Sequence, residues 1–275
     1  MKIVSLVGAG GKMGFRCTVN LKQSEYDVRH LEVNPEAVKK LEESGVKLST
    51  KEEAIPVSDI VILAVPDIAL RKVSASIVPQ MKPGSMVVAL DPAAPLAGHL
   101  PHRDDLAYYV THPSHPSVFN WEETEEASRD CYGGVLAKQT SVSAIMHGTD
   151  EDYEIGDALT KMIFAPVTKN HRITVEQMAI LEPAFSETLC STCINKVREA
   201  LDVVVSKGVP REAARDFILG HINIHIGVLF DEIPIKFSDA AIKAMNRAEP
   251  ILFKEDWRKI FEMDDVMEQI RAITE

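Results

Sequence analysis

A cluster of glycines follows the first apolar run of the chain. Residues 3–7 are typical of a buried strand, and a helical pattern covers residues 15–21. A strand, a glycine turn and a helix together place free backbone N–H groups at a helix N-terminus, where the pyrophosphate of a dinucleotide binds. The pattern therefore predicts a dinucleotide site, and its turn is formed by Gly8, Gly10, Gly11 and Gly14.

The same turn contains Lys12 and Met13, which we expect to contact the cofactor as well. Met13 stands where the G-x-G-x-x-G pattern has its last glycine, and the glycines also fit G-x-x-G-x-x-G. Glycine suits any tight turn, so the cluster alone is weak evidence. However, the second predicted strand, residues 28–33, includes Glu32. A carboxylate at that place binds the ribose hydroxyls and repels a 2′-phosphate, which predicts NAD rather than NADP.

Polar residues follow two later apolar runs that are typical of central parallel strands. Ligands of such sheets bind beyond the carboxyl ends of the strands. Pro66 and Asp67 end the first run, and we expect them to form a wall of the cofactor site beneath the nicotinamide ribose. Asp91 ends the second run, where the sequence favours a simple cap of the next turn.

Two histidines, His112 and His115, lie in the segment Thr-His-Pro-Ser-His-Pro after a predicted strand at residues 108–110. Proline on both sides keeps this segment extended and irregular. A histidine beside the nicotinamide would take a proton from a substrate hydroxyl while the hydride leaves. It would otherwise ligate a metal, or be a loop histidine bonded to the backbone.

Glu182 lies among apolar residues and directly before Pro183, in a long helical pattern over residues 174–207. A carboxylate there needs a metal, a histidine or a substrate hydroxyl as partner. We expect His112 and Glu182 to form one catalytic site. They would act as joint ligands of a divalent metal such as zinc or magnesium, or as a base with its orienting carboxylate. The alternative for Glu182 is a cap that pairs with backbone or with Arg172.

A second helical pattern, residues 211–230, carries His221 and His225 one turn apart. Residues spaced by four share one face of a helix, so both side chains could reach a site or a metal. We include His221 among the candidate catalytic residues. The alternative is a pair of buried histidines that bond each other or the backbone.

Strands and helices alternate over the first 172 residues, which predicts an α/β domain with a doubly wound, Rossmann-type parallel sheet that binds NAD. Residues 173–275 are expected to form an all-helical domain for substrate binding and dimerisation. Its second helix is apolar over more than one packed face, which predicts a homodimer.

Composition limits the partners of this chain of 275 residues. The net charge is −11, with 45% hydrophobic and 26% charged residues, as in ordinary globular proteins. No basic stretch offsets the negative charge, which argues against a nucleic acid or an anionic membrane as partner. We expect a cytoplasmic protein that acts on a small molecule.

Several segments together resemble a known family, the D-apionate oxidoisomerases. They are residues 8–14, 63–67, 91–94, 111–116, 176–183 and 220–223, so the resemblance spans nearly the whole chain. The Thr-His-Pro and Glu-Gln-Met-Ala-Ile-Leu-Glu-Pro segments are its most specific parts. More distantly, the chain resembles the phosphogluconate dehydrogenase and ketol-acid reductoisomerase type of enzyme.

The resemblance implies an NAD-dependent oxidoreductase of apiose catabolism that acts on a CH–OH group and converts D-apionate to 3-oxo-isoapionate. The oxidation of a secondary alcohol would be coupled to a skeletal rearrangement, a step that benefits from a divalent cation. The alternative is an NAD-dependent dehydrogenase of another small hydroxy acid, without rearrangement. A non-enzymatic NAD-binding redox sensor is disfavoured, because a sensor needs no converging histidine and glutamate.

Overall fold

The structure, a computed structural model, describes residues 1–275, which divide by their contacts into two units. The first unit comprises Met1–Glu182 and Met267–Glu275, and the second comprises Pro183–Val266. The sequence predicts a boundary between residues 172 and 173. The contacts place it after Glu182, because the short helix Val175–Ala179 packs on the sheet of the first unit.

A seven-stranded sheet forms the centre of the first unit, in the order β2-β1-β3-β4-β5-β6-β7. The strands β1 to β5 pair in parallel, β6 pairs antiparallel to β5, and β7 is parallel to β6. This is the predicted doubly wound α/β architecture, followed by a helical C-terminal part. The strands are β1 (Ile3–Val7), β2 (Asp27–Leu31), β3 (Ile60–Leu63), β4 (Met86–Ala89), β5 (Ala107–Pro113), β6 (Gln139–His147) and β7 (Val167–Arg172).

The direction of β6 differs from the predicted all-parallel sheet. Between β5 and β6 the chain contains only the short helix Glu125–Arg129, with no long crossover helix. Parallel neighbours require a crossover, whereas antiparallel neighbours do not. The chain therefore turns at the edge where β5 ends and returns alongside it. A long helix joins β6 to β7, and these two strands are parallel, so they form a β-α-β unit.

Helices cover both faces of the sheet, and two apolar clusters fill the space between them. The central strands β3 and β4 are buried along their whole length, as their β-branched composition predicts. Side-chain caps start six of the helices in the chain, for example Asn34 ahead of Pro35. The helices are α1 (Lys12–Leu21), α2 (Pro35–Glu43), α3 (Lys51–Ala54), α4 (Asp67–Ile77), α5 (Ala93–Leu96), α6 (Glu125–Arg129), α7 (Asp150–Ile163) and α8 (Val175–Ala179), with 3-10 turns at Ile55–Val57 and Val78–Gln80.

A π-helix, Ile180–Ser191, follows α8 without a break and crosses the boundary between the units. The sequence predicts one long helix with a kink at Pro183. The helical path is as expected, and the irregularity takes the form of this wider winding around Pro183. Proline has no N–H to donate to the preceding turn, which removes one bond from the α-helical ladder.

The second unit is entirely helical and buries few of its side chains. Neither α9 nor α11 contains a buried residue. Its elements are the rest of the π-helix, α9 (Thr192–Ser206), α10 (Arg211–Leu229), α11 (Asp239–Leu252), the 3-10 helix Trp257–Phe261 and the start of α12 (Met263–Thr274), whose end belongs to the first unit. No helix in the chain combines the length and the apolar character that crossing a membrane requires.

Candidate active site

Three side chains converge at the edge of the sheet where the parallel strands end. His112 is the penultimate residue of β5, Asp91 follows β4, and Glu182 lies in the first turn of the π-helix. The nitrogen Nε2 of His112 is 3.8 Å from Oδ2 of Asp91 and 3.8 Å from Oε1 of Glu182. The ligand atoms of the three residues all lie within 4.8 Å of one another.

His112 lies in the strand itself, whereas the sequence places it in a loop after residue 110. The strand continues to Pro113 because β6 pairs with it, with His112 opposite Val142. The ring nitrogen Nδ1 is 2.9 Å from the carbonyl oxygen of Pro113. A carbonyl oxygen only accepts hydrogen bonds, so Nδ1 carries the ring proton and Nε2 keeps its lone pair. That lone pair lies on the side of the two carboxylates.

Asp91 caps the following turn, as the sequence suggests, and also belongs to the cluster. Its Oδ1 accepts a hydrogen bond of 2.8 Å from the backbone N–H of Ala93, which leaves Oδ2 for the cluster. The sequence favours the cap over a role of Asp91 in the ligand site, although its position makes it a candidate for both. The available signal was its place after β4, because the carboxyl ends of neighbouring parallel strands meet at one edge.

Glu182 is the most perturbed carboxyl group of the cluster. Its side chain is 26% exposed, and burial together with the neighbouring charge of Asp91 raises its pKa to about 7. His115 acts in the opposite direction and lowers it. Two carboxylates this close together are stabilised by a proton or by a cation between them. One imidazole nitrogen and two carboxylate oxygens are also ligands that suit a divalent cation.

The glycine turn packs as tightly as a dinucleotide-binding turn requires. A Cβ on Gly14 would lie 2.0 Å from the carbonyl oxygen of Gly8, and a Cβ on Gly8 would lie 2.4 Å from that of Ala64. A Cβ on Gly10 would lie 2.6 Å from the side chain of Ala37. Gly11 differs, because its nearest neighbour would be 3.4 Å away. The chain's own packing therefore requires three of the glycines, while a Cβ on Gly11 would make only ordinary contacts.

The other predicted cofactor residues surround this turn. Glu32 directly follows β2, and its carboxylate accepts a hydrogen bond of 2.9 Å from the N–H of Gly10. Lys12 begins α1 and its Nζ lies 4.0 Å from the centre of the Tyr132 ring. The rest are Met13, packed on the core beside the turn, and Pro66 and Asp67 at the start of α4.

His221 lies in the second unit, on α10, and is not part of the cluster of ligand atoms. Its Nδ1 is 2.8 Å from the carbonyl oxygen of Phe217, and its ring stacks on the Phe217 ring at 3.9 Å. The His225 ring is 5.7 Å away. The bond to the backbone agrees with the alternative, but His221 is only half-buried and His225 is exposed, and a catalytic role of His221 stays a prediction.

Comparison with known proteins identifies the family. Residues 3–95 match the model of the NAD binding domain of 6-phosphogluconate dehydrogenase, and residues 120–274 match that of the phosphogluconate dehydrogenase (decarboxylating) C-terminal domain. The D-apionate oxidoisomerase of Cupriavidus necator is 50% identical over 98% of this chain and 99% of its own length. That of Rhizobium rhizogenes is 49% identical over the full length of both. The chain belongs to the D-apionate oxidoisomerase family.

Solved structures agree with this family. One from Cupriavidus necator, described as a semialdehyde dehydrogenase NAD-binding protein in complex with calcium and NAD, is 50% identical, with a TM-score of 0.98 and full coverage of both chains. An NADH-preferring ketol-acid reductoisomerase from an uncultured archaean has a TM-score of 0.72 at 17% identity, covering 98% of this chain and 83% of its own. This second likeness shows the fold alone. The predicted family, the fold class and an NAD-dependent oxidoreductase with coupled isomerisation are confirmed at the level of the family.

Proposed function

We propose that this chain oxidises D-apionate with NAD and isomerises the oxidised product to 3-oxo-isoapionate. The observation that carries the proposal is the cluster of Asp91, His112 and Glu182 at the sheet edge where β1 also ends in the glycine turn. A substrate between the turn and the cluster would meet the cofactor and titratable groups together. The names of the relatives supply the substrate, a branched sugar acid.

The residues around the glycine turn fit NAD. The N-terminus of α1 lies at this turn, directly after Gly11, and its backbone N–H groups would hold the pyrophosphate. Glu32, held beside Gly10, would accept hydrogen bonds from the adenosine ribose hydroxyls. Lys12, Met13, Pro66 and Asp67 would complete the cofactor site. When bound, NAD supplies the acceptor for the hydride of the substrate's secondary alcohol.

Within the chain, His112 is suited to accept the hydroxyl proton. Its proton on Nδ1 is held by the Pro113 carbonyl, so the Nε2 lone pair is oriented toward the substrate space. Glu182, with its pKa raised to about 7, can exchange a proton near neutral pH. Oδ2 of Asp91, 3.8 Å from Nε2, would stabilise the positive charge that His112 gains.

The same three residues also fit a divalent cation, and we include such a site in the proposal. Asp91, His112 and Glu182 would be its ligands, which adds Asp91 to the two that the sequence predicts. A divalent cation would supply polarisation of the ketone and stabilisation of alkoxide charge. Nε2 of His112 has one lone pair, so it serves either as a ligand or as the base, and the experiment below separates these roles.

The test combines substrate, variants and chelation. NADH formation with D-apionate, and a rearranged carbon skeleton in the ¹³C spectrum of the product, would support the proposal. Activity on linear hydroxy acids alone would favour the plain dehydrogenase. His112→Ala and Glu182→Ala are expected to lower kcat by about a hundredfold or more and to leave NAD affinity nearly unchanged. His171→Ala, an exposed histidine of β7, is the control.

Chelation then distinguishes the two roles of His112. Loss of activity in a chelator, with recovery on adding magnesium, zinc or calcium, supports the cation site. Unchanged activity supports the acid–base pair of His112 and Glu182. Near wild-type turnover in either alanine variant contradicts both.

We further propose that the second unit forms a homodimer with a second copy of the chain. Between α9 and α10 lies an apolar groove of about 610 Å³, lined by Val197, Ala200, Leu201, Val204, Val209, Ala213, Ala214, Phe217 and Ile218. Exposed apolar side chains continue along the same unit, including Leu229, Phe230 and Leu252, each at least 60% exposed. Contiguous apolar surface of this kind marks an interface, and a second copy presents the same surface in return.

Light scattering tests the dimer. Val204→Glu in the groove should halve the measured mass, because it places a charge in the apolar interface. Val57→Glu in the first unit is matched to it, since the two valines are 42% and 44% exposed. A monomeric wild-type protein, or a dimer that Val204→Glu leaves intact, contradicts this interface. The predicted cytoplasmic location stays a prediction that cell fractionation would test.

A further inference from the structure

The backbone at His115 has an unusual conformation for its residue type. Its φ is +59°, and Asp231 is the only other non-glycine residue with a positive φ. Side chains other than glycine rarely adopt this region, and such a residue persists where the surroundings hold it. At His115, contacts with Tyr132 hold the backbone in this conformation. Its Nδ1 lies 2.7 Å from the carbonyl oxygen of Tyr132, and its ring lies 4.8 Å from the Tyr132 ring.

Tyr132 is in turn fixed to the helix that starts at the glycine turn. The Nζ of Lys12 and the guanidinium of Arg16 each lie 4.0 Å from the centre of the Tyr132 ring. Nε of Arg16 also donates to the carbonyl of Gly133 at 3.1 Å. Cation–π contacts and a hydrogen bond to the backbone together make this a well-defined platform. The imidazole of His115 is therefore held in one orientation by the cofactor-binding part of the fold.

The half-buried imidazole of His115 lies beside the catalytic cluster. The rings of His115 and His112 are perpendicular, with their centres 6.1 Å apart. His115 is also an electrostatic neighbour of Glu182. The carbonyl of Tyr132 can only accept, so Nδ1 carries the proton and Nε2 is an acceptor. No protein group within hydrogen-bond distance uses that acceptor.

We propose that Nε2 of His115 accepts a hydrogen bond from a hydroxyl group of the substrate and so selects polyhydroxy acids. This inference rests on the proposed function, because it assigns a second recognition group to the same site. His112 and Glu182 lie where the chemistry occurs, whereas His115 would hold a neighbouring hydroxyl and fix the orientation of the sugar acid. It is a specificity residue and not the base.

Two substitutions separate this role from a structural one. In His115→Asn the amide nitrogen can replace Nδ1 and keep the bond to Tyr132, and asparagine tolerates a positive φ. Nothing in that side chain reaches as far as Nε2. In His115→Gln the longer amide reaches the position of Nε2, while the bond to Tyr132 is lost. A substrate contact at Nε2 therefore predicts the higher KM for His115→Asn, whereas a purely structural contact predicts the higher KM for His115→Gln.

We expect His115→Asn to raise the KM for D-apionate about tenfold with a smaller change in kcat, and His115→Gln to retain more of the affinity. NAD affinity and the melting temperature of His115→Asn should match the wild type. A wild-type KM in His115→Asn, or a KM more impaired in His115→Gln than in His115→Asn, would overturn the inference. If His115→Asn folds poorly, His115→Gly with added imidazole replaces it: a KM restored by imidazole supports the contact, and an unrestored one refutes it. Failure of the proposed function is distinct, because the wild type would then not oxidise D-apionate at all.

Discussion

Replacing Glu182 by glutamine should make the protein more stable and less active at the same time. The carboxyl group is 26% exposed, next to Asp91, and its pKa is raised from 4.5 to about 7. Each pH unit of such a displacement is worth about 1.4 kcal/mol, so the ionised group destabilises the metal-free fold by up to about 3 kcal/mol. Glutamine has nearly the same shape and carries no charge.

The pH dependence of this effect has a definite sign. Between pH 4.5 and about 7 the folded protein holds a proton on Glu182 that the unfolded chain has released. Stability therefore falls as the pH rises through this window, and the full penalty is present above it. In a chelating buffer, wild type and Glu182→Gln should match near the lower end of the window. Above its upper end the variant should be more stable by up to about 3 kcal/mol, or about 6 °C in melting temperature for a chain of this size.

Thermal unfolding across this pH range, with Glu154→Gln as control, measures the difference. Glu154 is an exposed glutamate of α7, so its substitution should leave the curve unchanged. A saturating divalent cation should raise the melting temperature of the wild type and not that of Glu182→Gln, because binding to the folded state adds stability. A variant that is no more stable than the wild type at alkaline pH would refute the assignment of Glu182 as a buried, destabilising carboxylate.

Three further outcomes follow from other parts of the first unit. Glu32→Ala should lower kcat/KM for NAD by about tenfold while changing that for NADP much less, and equal efficiency of the wild type with both cofactors would contradict the role of Glu32. Gly14→Ala should unfold or strongly destabilise the protein, because the new Cβ would lie 2.0 Å from the Gly8 carbonyl, whereas Gly11→Ala should keep the melting temperature and weaken NAD binding in a fluorescence titration. Burial lowers the pKa of His30 from 6.5 to about 4, so the stability of the protein should fall as the pH drops through this window. His30→Leu should remove this part of the acid sensitivity, as measured by urea unfolding. An unchanged pH profile of stability in His30→Leu would contradict this role of His30.

Local signals in the sequence were sufficient for the framework of the site. The apolar run before Gly8 and the β-branched run of β3 specify strands through composition alone. The order of alternating strands and helices then places the glycine turn and Asp91 at the same sheet edge. The pairing of His112 with Glu182 was predicted from an electrostatic argument about an apolar neighbourhood, and the structure brings these side chains to 3.8 Å.

Other features depend on contacts that no local pattern records. The antiparallel direction of β6 follows from how residues 114–138 return along the sheet, a stretch with no regular periodicity. The same pairing draws His112 into the strand despite Pro113. The position of Tyr132 against Lys12 arises between residues far apart in sequence, so the sequence offered no sign of the platform that holds His115.

The winding of the π-helix determines the direction in which the Glu182 side chain projects from the helix axis. Met178 is buried, and in a uniform α-helix residue 182, four positions later, would lie almost directly above it on the same face. Hydrogen bonds that close five residues apart instead of four advance each residue by a smaller angle, so the direction of Glu182 relative to Met178 differs from that in a uniform α-helix. Substitutions of other side chains leave this direction of Glu182 unchanged. Inserting or deleting one residue next to Pro183 would change this direction and rotate the carboxylate away from His112, although every side chain of the site would still be present.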